Sequence, residues 1–378
     1  MYPRLESERG VALIMALGAI VIIGVLMGSV LFVSTQDYRV GSNTVRSTRA
    51  AAAAELGLNR VLSEWTLATN QIPAGSTFTR IYTAPGGARD SVIVTRLPGP
   101  FFWAVSQGYA GGQGSQASAR RRYGTLFRLN LPNMNILGAV TTQGNTTIKG
   151  NVTVNGNDVA PAGWASCGPA APAVAGAAIS PTTTANVQGS VVINGNPPSL
   201  TTPAASDTNT YFNYGNSNYQ ALAATATYTY PAGTQLTSVA PIAAGGVCTV
   251  SANPPNWGDV NRATPAGACE TFFPIIHVLG DLKVTGGSGQ GVLLVDGSVT
   301  LAGNFVWDGA IIARGALKMS GTGTVNGAMM AATVTVGDST TTITGNTTLQ
   351  YSSCALMSAL SANSYPTQAP RRGWVDLF

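Results

Sequence analysis

Three consecutive segments of equal length share one pattern near the C-terminal end: GVLLVDGSVTLAGNFVWD (291–308), GAIIARGALKMSGTGTVN (309–326) and GAMMAATVTVGDSTTTIT (327–344). Each segment opens with a glycine, and the spacing of 18 extends to Gly345. An apolar pair recurs in each segment, and the preceding segment 273–290 carries an equivalent pair one residue off the period. These pairs are Ile275-Ile276, Leu293-Leu294, Ile311-Ile312 and Met329-Met330. One structural unit is therefore used several times.

A sequence repeat of this kind is typical of a solenoid, in which each unit buries its apolar residues against the next. A second alternating pair follows the first in each unit, at Leu282/Val284, Val299/Leu301, Leu317/Met319 and Val334/Val336. Alternation places both members on one face of a strand, and glycine permits the sharp corners. We predict a right-handed parallel β-helix, or a close relative, over residues 272–352. Segments 134–156 and 188–196 are candidate rungs of the same stack. The alternative is an antiparallel sandwich with one hairpin per repeat.

The region before the repeats divides into two parts. Residues 66–132 contain four β-rich runs separated by Pro/Gly turns, which predict an antiparallel sheet of about four strands. Residues 133–271 have partial repeats among Ala-, Pro-, Thr- and Asn-rich stretches, and are expected to be irregular. After the repeats, SSCALMSALSA (352–362) predicts a helix that caps the open end of the solenoid. Trp374 and Phe378 in the following tail are expected to pack back on the domain.

At the other end of the chain, residues 11–33 carry no charge. About 20 apolar residues suffice to cross a bilayer as a helix, and this segment is too long for the core of a secretory signal. The chain then turns polar, but no proline occurs between Pro3 and Pro73. Leu58, Val61, Leu62 and Trp65 form one apolar helical face. We therefore predict one continuous helix over residues 11–65, whose first half suits lipid and whose second half suits a folded domain. A plain membrane anchor is the simpler alternative.

This combination resembles type IV prepilins: a short charged leader ending in Gly10, an apolar segment from the next residue, and an unbroken helix into a β-rich domain. More narrowly, residues 9–26 with Arg49-Ala50 and Ala54 to Leu58 are similar to pilus-assembly proteins with a PilX-type N-terminal domain. The resemblance implies cleavage after Gly10 by a prepilin peptidase and methylation of Val11. It implies a subunit that leaves the inner membrane for a pilus or a secretion pseudopilus.

The chain departs from major pilins at two positions. The mature chain would begin with Val11 rather than Phe and carry Met15 rather than Glu at its fifth position. In the family, that Glu is thought to pair with a neighbouring subunit's amino terminus, so a minor or tip subunit is expected. Gly18, Gly24 and Gly28 would permit close approach of other pilin helices in the filament.

The composition suits an extracellular or periplasmic domain. Only 9% of the residues are charged, and the net charge is +5. This is a weak basis for nucleic-acid binding, and the arginine run 120–122 is interpreted as a solvated strand edge. Four cysteines lie beyond the membrane segment, none in a zinc-like spacing, which suggests two disulfides. Cys248 and Cys269 close a loop with little core of its own and leave Cys167 with Cys354, although four cysteines allow three pairings.

The sequence contains no recognisable enzyme signature. The single histidine, His277, lies in an apolar strand pattern and is expected to be packed. Asp281, Asp296 and Asp308 fall at predicted turns but lack the dense pattern of calcium-binding repeats. The glycine-rich run 286–291 lacks the Lys-Ser/Thr of a phosphate loop. We therefore predict no catalytic residues, no metal and no cofactor.

The predicted fold is mainly β: a long N-terminal helix with an antiparallel sheet, then a β-helix-like solenoid with 18-residue rungs. The predicted segments are a leader (1–10), the helix (11–65), the sheet (66–132), the irregular region (133–271), the solenoid (272–352), and a capping helix with tail (353–378). The expected function is that of a minor pilin or pilus-assembly subunit, whose partners are other pilins, the assembly platform and prepilin peptidase, with an extracellular ligand open. The alternatives are an anchored carbohydrate-acting or carbohydrate-binding protein and a bactofilin-like scaffold.

Overall fold

The computed structural model of the chain describes residues 9–111, 119–164, 167, 170–262, 264, 267–332, 340–369 and 374–377. Its helices are α1 Arg9–Ser63, α2 Thr208–Phe212, α3 Tyr219–Ala224 and α4 Ser353–Ala362. Its strands are β1 Thr77–Thr83, β2 Arg89–Arg96, β3 Phe101–Ala110, β4 Ala119–Leu129, β5 Gly138–Thr142, β6 Asn145–Gly150, β7 Thr153–Asn155, β8 Ala175–Ile179, β9 Ala185–Gln188, β10 Val192–Asn194, β11 Ser199–Thr201, β12 Tyr228–Tyr230, β13 Thr234–Val239, β14 Ala243–Ala244, β15 Val247–Cys248, β16 Ile275–Val278, β17 Leu282–Val295, β18 Val299–Ala302, β19 Val306–Ala313, β20 Leu317–Met319, β21 Thr324–Ala331, β22 Thr340–Gly345, β23 Thr348–Tyr351, β24 Pro366–Gln368 and β25 Trp374–Asp376. The predicted fold class, mainly β with one long N-terminal helix, is confirmed.

The continuous helix predicted near the N-terminus is α1, which has 55 residues and is about 82 Å long at roughly 1.5 Å per residue. Its C-terminal half packs on an antiparallel sheet in the order β1-β2-β3-β4. Trp65 packs edge-on against Phe102, with ring centroids 4.8 Å apart, among other fully buried apolar side chains. The strand residues in this cluster, such as Val92, Val94, Phe102 and Ala104, alternate along β2 and β3 and face the helix. This alternation explains why the sheet could be predicted from the sequence.

The C-terminal tail returns to this sheet. β24 and β25 both pair antiparallel with β4, beyond the predicted limit of the sheet at residue 132. The solvated strand edge predicted for Arg120 and Arg122 is right for Arg120, which is exposed and lies beyond the residues of β4 that the tail pairs with. It is wrong for Arg122, whose carbonyl accepts a hydrogen bond from the Leu377 amide of the tail. The tail segment that does this follows the whole solenoid in the sequence, and its three-residue strands carry no pattern of their own. The side chain of Trp374 and all of Phe378 lie outside the described residues.

β14 and β15 form a separate antiparallel pair, and the other strands form one parallel solenoid, which we divide into eight rungs by their pairing. Rung 1 is β12 with β13, rung 2 is β16 with residues 282–287, rung 3 is residues 288–295 with β18, rung 4 is β19 with β20, and rung 5 is β21 with β22. Rung 6 is β23 side by side with β5 and β6, rung 7 is β7 with β8 and β9, and rung 8 is β10 with β11. All these pairings are parallel, so the sandwich alternative is wrong.

The rungs do not follow one another in chain order. The chain enters the stack at rung 6 with β5, continues to rung 8, crosses to rung 1 through α2 and α3, and then runs back to rung 6, where β22 pairs with β6 over residues 340–345 and 145–150. The solenoid therefore extends beyond the predicted 272–352. The region 133–271, expected to be irregular, supplies all the strands of rungs 1, 7 and 8 and two of the three strands of rung 6. Segments 134–156 and 188–196 overlap rungs of the same stack.

The 18-residue period is correct for rungs 3 to 5 and fails after them. The apolar pairs lie in register from Leu293 to Ile311 and from Ile311 to Met329, with the predicted one-residue shift at Ile276. Met319, however, pairs with Ile343 in place of the predicted Val336, which lies outside the described residues. The step from the rung 5 strand to the rung 6 strand is longer than the period, since Gly327 pairs with Tyr351.

Two columns of glycines mark two corners of the stack. Gly291, Gly309 and Gly327 are aligned, have φ of +117°, +134° and +141°, and leave no space for a side chain because the carbonyl of the rung below lies where Cβ would be. Gly345 belongs to the other column, where it stacks on Gly321. It lies 18 residues after Gly327 in the sequence, but it does not stack on Gly327, so this spacing does not reflect a structural repeat. Only glycine satisfies both the backbone angle and the rung spacing at these corners.

Helix α4 does not cap the solenoid. It packs on the flank of the stack against β17, β19 and β21, with the Cβ of Ala359 beside the corner at Gly309. The capping prediction is therefore wrong: α4 covers the middle rungs, while the ends are formed by β12 and β13 on one side and by β9, β10 and β11 on the other.

Replacing a corner glycine should destabilise the stack far more than the loss of glycine flexibility alone. We expect Gly327→Ala to lower the free energy of unfolding by more than about 3 kcal/mol, since the new Cβ meets the Gly309 carbonyl and φ is +141°. Gly233→Ala is the matched control: its φ is +75° but nothing lies within 4 Å of the added Cβ, so about 1–2 kcal/mol is expected. Thermal and denaturant unfolding measure both, and equal losses would refute the corner argument.

Candidate membrane and assembly interface

The N-terminal half of α1 is an exposed apolar rod. The helix is long and apolar enough to cross a membrane, and none of its most apolar 18-residue window is buried. Leu13 and Phe32, near its two ends, are 68% and 64% exposed. So much exposed apolar surface on one element is incompatible with water and marks a membrane or protein interaction site. Gly10 and Val11 lie in the first turn of this helix, and the side chain of Val11 is outside the described part of the structure.

The three glycines proposed to pack against other helices do not lie on one face. Gly24 and Gly28 are four residues apart, so they differ by about 40° around the helix and share a face. Gly18 lies about 120° away from Gly24. None of the three has an atom of another element within 4 Å of where its Cβ would be. Close packing of another helix at these glycines stays a prediction.

The helix is held to the sheet by close backbone approach. Gly108 of β3 leaves no space for a Cβ because Ala50 and Ala54 of α1 lie against it, and Gly57 of α1 lies against Asp90 and Val92. Asp90 is 1% exposed, neither of its carboxylate oxygens has a hydrogen-bond partner, and burial raises its pKa to about 6. The C-terminal half of α1 is therefore packed as part of the folded domain. This packing fixes the direction in which the apolar N-terminal half projects.

One buried asparagine connects the end of α1 to the solenoid. Asn70 follows α1 in a short 3-10 turn and is 3% exposed. Its Oδ1 accepts a hydrogen bond of 2.8 Å from Trp65 Nε1. Its Nδ2 donates to the carbonyls of Ser361 at 2.7 Å and Ser364 at 2.6 Å, at the end of α4. The side chain is fully paired, so helix, sheet and solenoid meet at one satisfied polar group.

Both cysteine pairs that the sequence favours are disulfides in the structure. Cys167–Cys354 ties the loop after β7 to the first turn of α4, across a sequence separation of 187. Cys248–Cys269 closes the loop beside rung 1, with a sequence separation of 21. Asp158 reinforces the first junction, since its Oδ1 accepts from the Ser353 amide at 2.7 Å and its Oδ2 from the Ser353 hydroxyl at 2.6 Å. Covalent and charge-assisted bonds therefore fix α4 on the flank.

Of the residues singled out for possible chemistry, the structure brings His277 and Asp296 together, while Asp281 and Asp308 have other partners. His277 Nε2 lies 3.0 Å from Asp296 Oδ2, and Arg314 is 3.8 Å from the other oxygen of Asp296. Asp281 instead accepts a hydrogen bond of 2.7 Å from the Ser298 amide. Across the described ranges, no three His, Cys, Asp or Glu side chains are grouped as metal ligands. The histidine is a packed residue within hydrogen-bond distance of Asp296, as its apolar context indicates.

The third aspartate, Asp308, belongs to a polar ladder that the sequence analysis misses. In successive rungs, one amide or carboxyl side chain stacks on the next, each directly before a corner residue. The column consists of Gln290, Asp308, Asn326, Gln350, Asn155 and Asn194. Asn326 Nδ2 donates to Asp308 Oδ1 at 2.7 Å, and Asn155 Nδ2 to Gln350 Oε1 at 3.0 Å. The signal in the sequence was an Asn, Asp or Gln before the corner glycine of nearly every rung.

The sequence matches no protein-family model and no curated protein. Among solved structures it is similar to the competence-associated pilin ComZ from Thermus thermophilus, with 11% identity over 88% of this chain and 96% of that chain, at a TM-score of 0.23. A TM-score of this size does not establish a common fold and carries no function over to this chain.

The burial of Asp308 makes stability depend on pH. Burial raises the pKa of this carboxyl, 1% exposed, to about 7, above its usual value of 3.8. The unfolded chain therefore loses this proton at lower pH than the folded chain, and the free energy of unfolding falls as pH rises from about 4 to 7. The limit of this effect is of the order of 4 kcal/mol.

We expect Asp308→Asn to be more stable than the wild type at pH 8 and to differ little from it below about pH 4, because an amide can occupy the same ladder position without ionising. Unfolding curves at a series of pH values measure this. Asp37→Asn, at an exposed position of α1, serves as the control and should follow the wild type. An unchanged pH profile in Asp308→Asn would contradict the assignment.

Asn70→Leu should lower the free energy of unfolding by roughly 2–5 kcal/mol, because it leaves the Trp65 Nε1 and two buried carbonyls without partners. Asn43→Leu, at an exposed position of α1, is the control and should have little effect. Because Asn70 joins the two halves, limited proteolysis should cut the Asn70→Leu variant faster between β4 and β5 than the control. Equal rates would show that the junction does not depend on this residue.

Proposed function

We propose that the chain is a minor pilin or pilus-assembly subunit of a type IV pilus or related secretion pseudopilus. The observation that carries this is the division of α1 into an exposed apolar half and a half packed on a four-stranded antiparallel sheet. A membrane anchor alone needs only the first half. A helix that continues without a break into the folded domain holds its apolar half rigidly in one direction, as packing into a filament core requires.

Before assembly, the apolar half of α1 would lie in the inner membrane, with the sheet and the solenoid on the periplasmic side. On assembly, other pilin helices would replace lipid around it. Gly24 and Gly28 offer one face for such contacts and Gly18 a second one, because glycine lets two helix backbones approach closely. Met15 occupies the fifth mature position, where major pilins have Glu. Because Met carries no charge, it cannot pair with a neighbouring subunit's amino terminus, which suits a minor or tip subunit better than a major one.

We propose that the solenoid has a structural or surface-exposed role and no catalytic one. Three large aromatic side chains of the solenoid, Trp257, Phe305 and Trp307, are at most 1% exposed and cannot line a sugar site. Asp281, Asp296 and Asp308 each have a separate structural contact. A bactofilin-like scaffold would need two open solenoid ends for head-to-tail growth, and the segment after β15 packs over the tyrosines of rung 1.

The mass of the N-terminal peptide of the chain purified from its own cells tests the proposal directly. We expect a chain that begins at N-methylated Val11. A Gly10→Phe variant is the control and should keep its leader, because a bulky side chain replaces glycine at the cleavage position. A wild-type chain that still begins at Met1 would contradict the proposal and leave a stationary membrane-anchored solenoid.

A further inference from the structure

A cleft of about 300 Å³ lies where the antiparallel sheet meets the flank of the solenoid. Its walls come from the linker after β4, from α3 and the turn before it, and from the end of α4 with the segment that leads to β24. We call it the junction cleft. The lining residues that matter below are Asn130, Asn216, Ser217, Ala221, Ile275 and Tyr365. Ligand sites often lie at such junctions between two packed parts of a chain.

The floor of the junction cleft is apolar. Ile275 and Val292, from rungs 2 and 3, are each 1% exposed, and Leu222 of α3 and Leu360 of α4 also line the cleft and are buried. All four belong to the main hydrophobic core of the solenoid. The floor is therefore part of a packed core, and it offers apolar surface that a ligand can cover.

The rim of the cleft is polar but uncharged. Its polar residues are Asn, Ser, Thr and Tyr, and none of the residues that line the cleft is Asp, Glu, Lys, Arg or His. Asn216 Nδ2 donates a hydrogen bond to Asn130 Oδ1, which joins the two walls. The Asn130 amide donates to the Tyr365 carbonyl at 3.0 Å, and the Tyr214 amide to the Ser217 carbonyl at 2.9 Å. Hydrogen bonds between backbone groups therefore hold the rim in place.

Several polar groups of the rim have no partner within the described chain. Asn130 Nδ2, Asn216 Oδ1, Ser217 Oγ and Tyr365 Oη make no hydrogen bond to another described residue. By contrast, Asn363 Nδ2 donates to two backbone carbonyls at 2.8 and 3.0 Å. The unpaired set contains an amide donor, an amide acceptor and two hydroxyls, which can donate or accept. The Tyr365 side chain, 59% exposed, adds an aromatic ring at the edge.

These features restrict the chemistry of a ligand. An apolar molecule would cover the floor but leave the polar groups of the rim without partners. A charged molecule would lose hydration against an apolar floor without meeting an opposite charge. A sugar ring satisfies both parts, because it carries C–H groups on its faces, hydroxyls around its edge and no charge. Its C–H face can also pack against the ring of Tyr365.

We propose that the junction cleft binds a neutral sugar ring, either as a free monosaccharide or as the end of a glycan chain. The face of the ring covers the floor and Tyr365, and its hydroxyls pair with Asn130, Asn216 and Ser217. A ligand of this size is expected to bind with a dissociation constant on the order of 1 mM. The cleft lies at the opposite end of α1 from the apolar half, so binding does not depend on filament assembly.

Saturation-transfer NMR on the full-length chain tests the proposal. The chain is kept in lauryldimethylamine oxide micelles, because maltoside detergents are themselves sugars. The probes are glucose, galactose, mannose and N-acetylglucosamine, with sorbitol as the control that has hydroxyls but no ring. We expect at least one ring sugar to bind and sorbitol not to bind. Methyl glycosides that bind as well as the free sugar indicate a glycan end, whereas binding of the free sugar alone indicates a monosaccharide.

Two variants locate the binding in the cleft. Ala221→Trp fills the cleft from an exposed position of α3, and Tyr365→Ala removes the aromatic ring, so each should weaken binding by about tenfold or more. Gln220→Trp, at an exposed position of α3 outside the lining, and Tyr38→Ala, at a tyrosine of α1 that is 79% exposed, are the matched controls and should bind as the wild type does.

A wild type that binds none of the ring sugars would overturn the proposal, and so would binding of sorbitol as strong as that of the ring sugars. Undiminished binding by Ala221→Trp would overturn it as well, because the sugar would then lie elsewhere on the chain. Unfolding midpoints check that the variants fold. Ser217→Ala, which removes one unpaired hydroxyl and should weaken binding about fivefold, replaces either variant that does not fold.

Discussion

The parallel pairing of β22 with β6, and of β23 with β7, is the constraint on which the rest of the fold depends. It joins strands from the two ends of the solenoid's sequence, in a continuous register over the whole of β6 and the whole of β7. Without it, the chain would form two short stacks, each with a bare edge of unpaired backbone amides and carbonyls. With it, eight rungs share one core, and each internal rung has partners on both sides.

This closure decides where the other elements lie. Because the chain enters the stack in the middle, it must leave rung 8 and return along the side to rung 1, which places α2 and α3 on the outside of the stack, where Tyr211 and Tyr219 are buried against it. It must also leave rung 6 after β23, and α4 turns onto the flank there. The end of α4 then lies beside the end of α1, where Asn70 pairs with both. After α4, the C-terminal tail reaches β4, where β24 and β25 pair with it and extend the first sheet.

The antiparallel sheet and the solenoid together hold the C-terminal half of α1 in place. The sheet holds the C-terminal half of the helix by glycine contacts at Gly57 and Gly108. Asn70 joins this base to the end of α4, and the Cys167–Cys354 disulfide holds the start of α4 to the loop after β7. The exposed apolar half is consequently the one large surface of the described chain that water cannot solvate well. A subunit that exchanges lipid for other helices would need this combination of a rigid base and an unpartnered apolar rod.

The sequence by itself determined the elements whose patterns are local: the unbroken helix, the alternating strands against Trp65 and Phe102, and the rungs with an 18-residue period. It also determined that His277 is a packed residue, because its neighbours are apolar. Only the tertiary structure decided the order of the rungs, the place of α4, the return of the tail to β4, and the polar ladder through Asp308. Those features depend on which backbone edges remain unpaired after the local strands have formed. Such edges look alike in sequence, so the choice among them is made by burial and register across long distances.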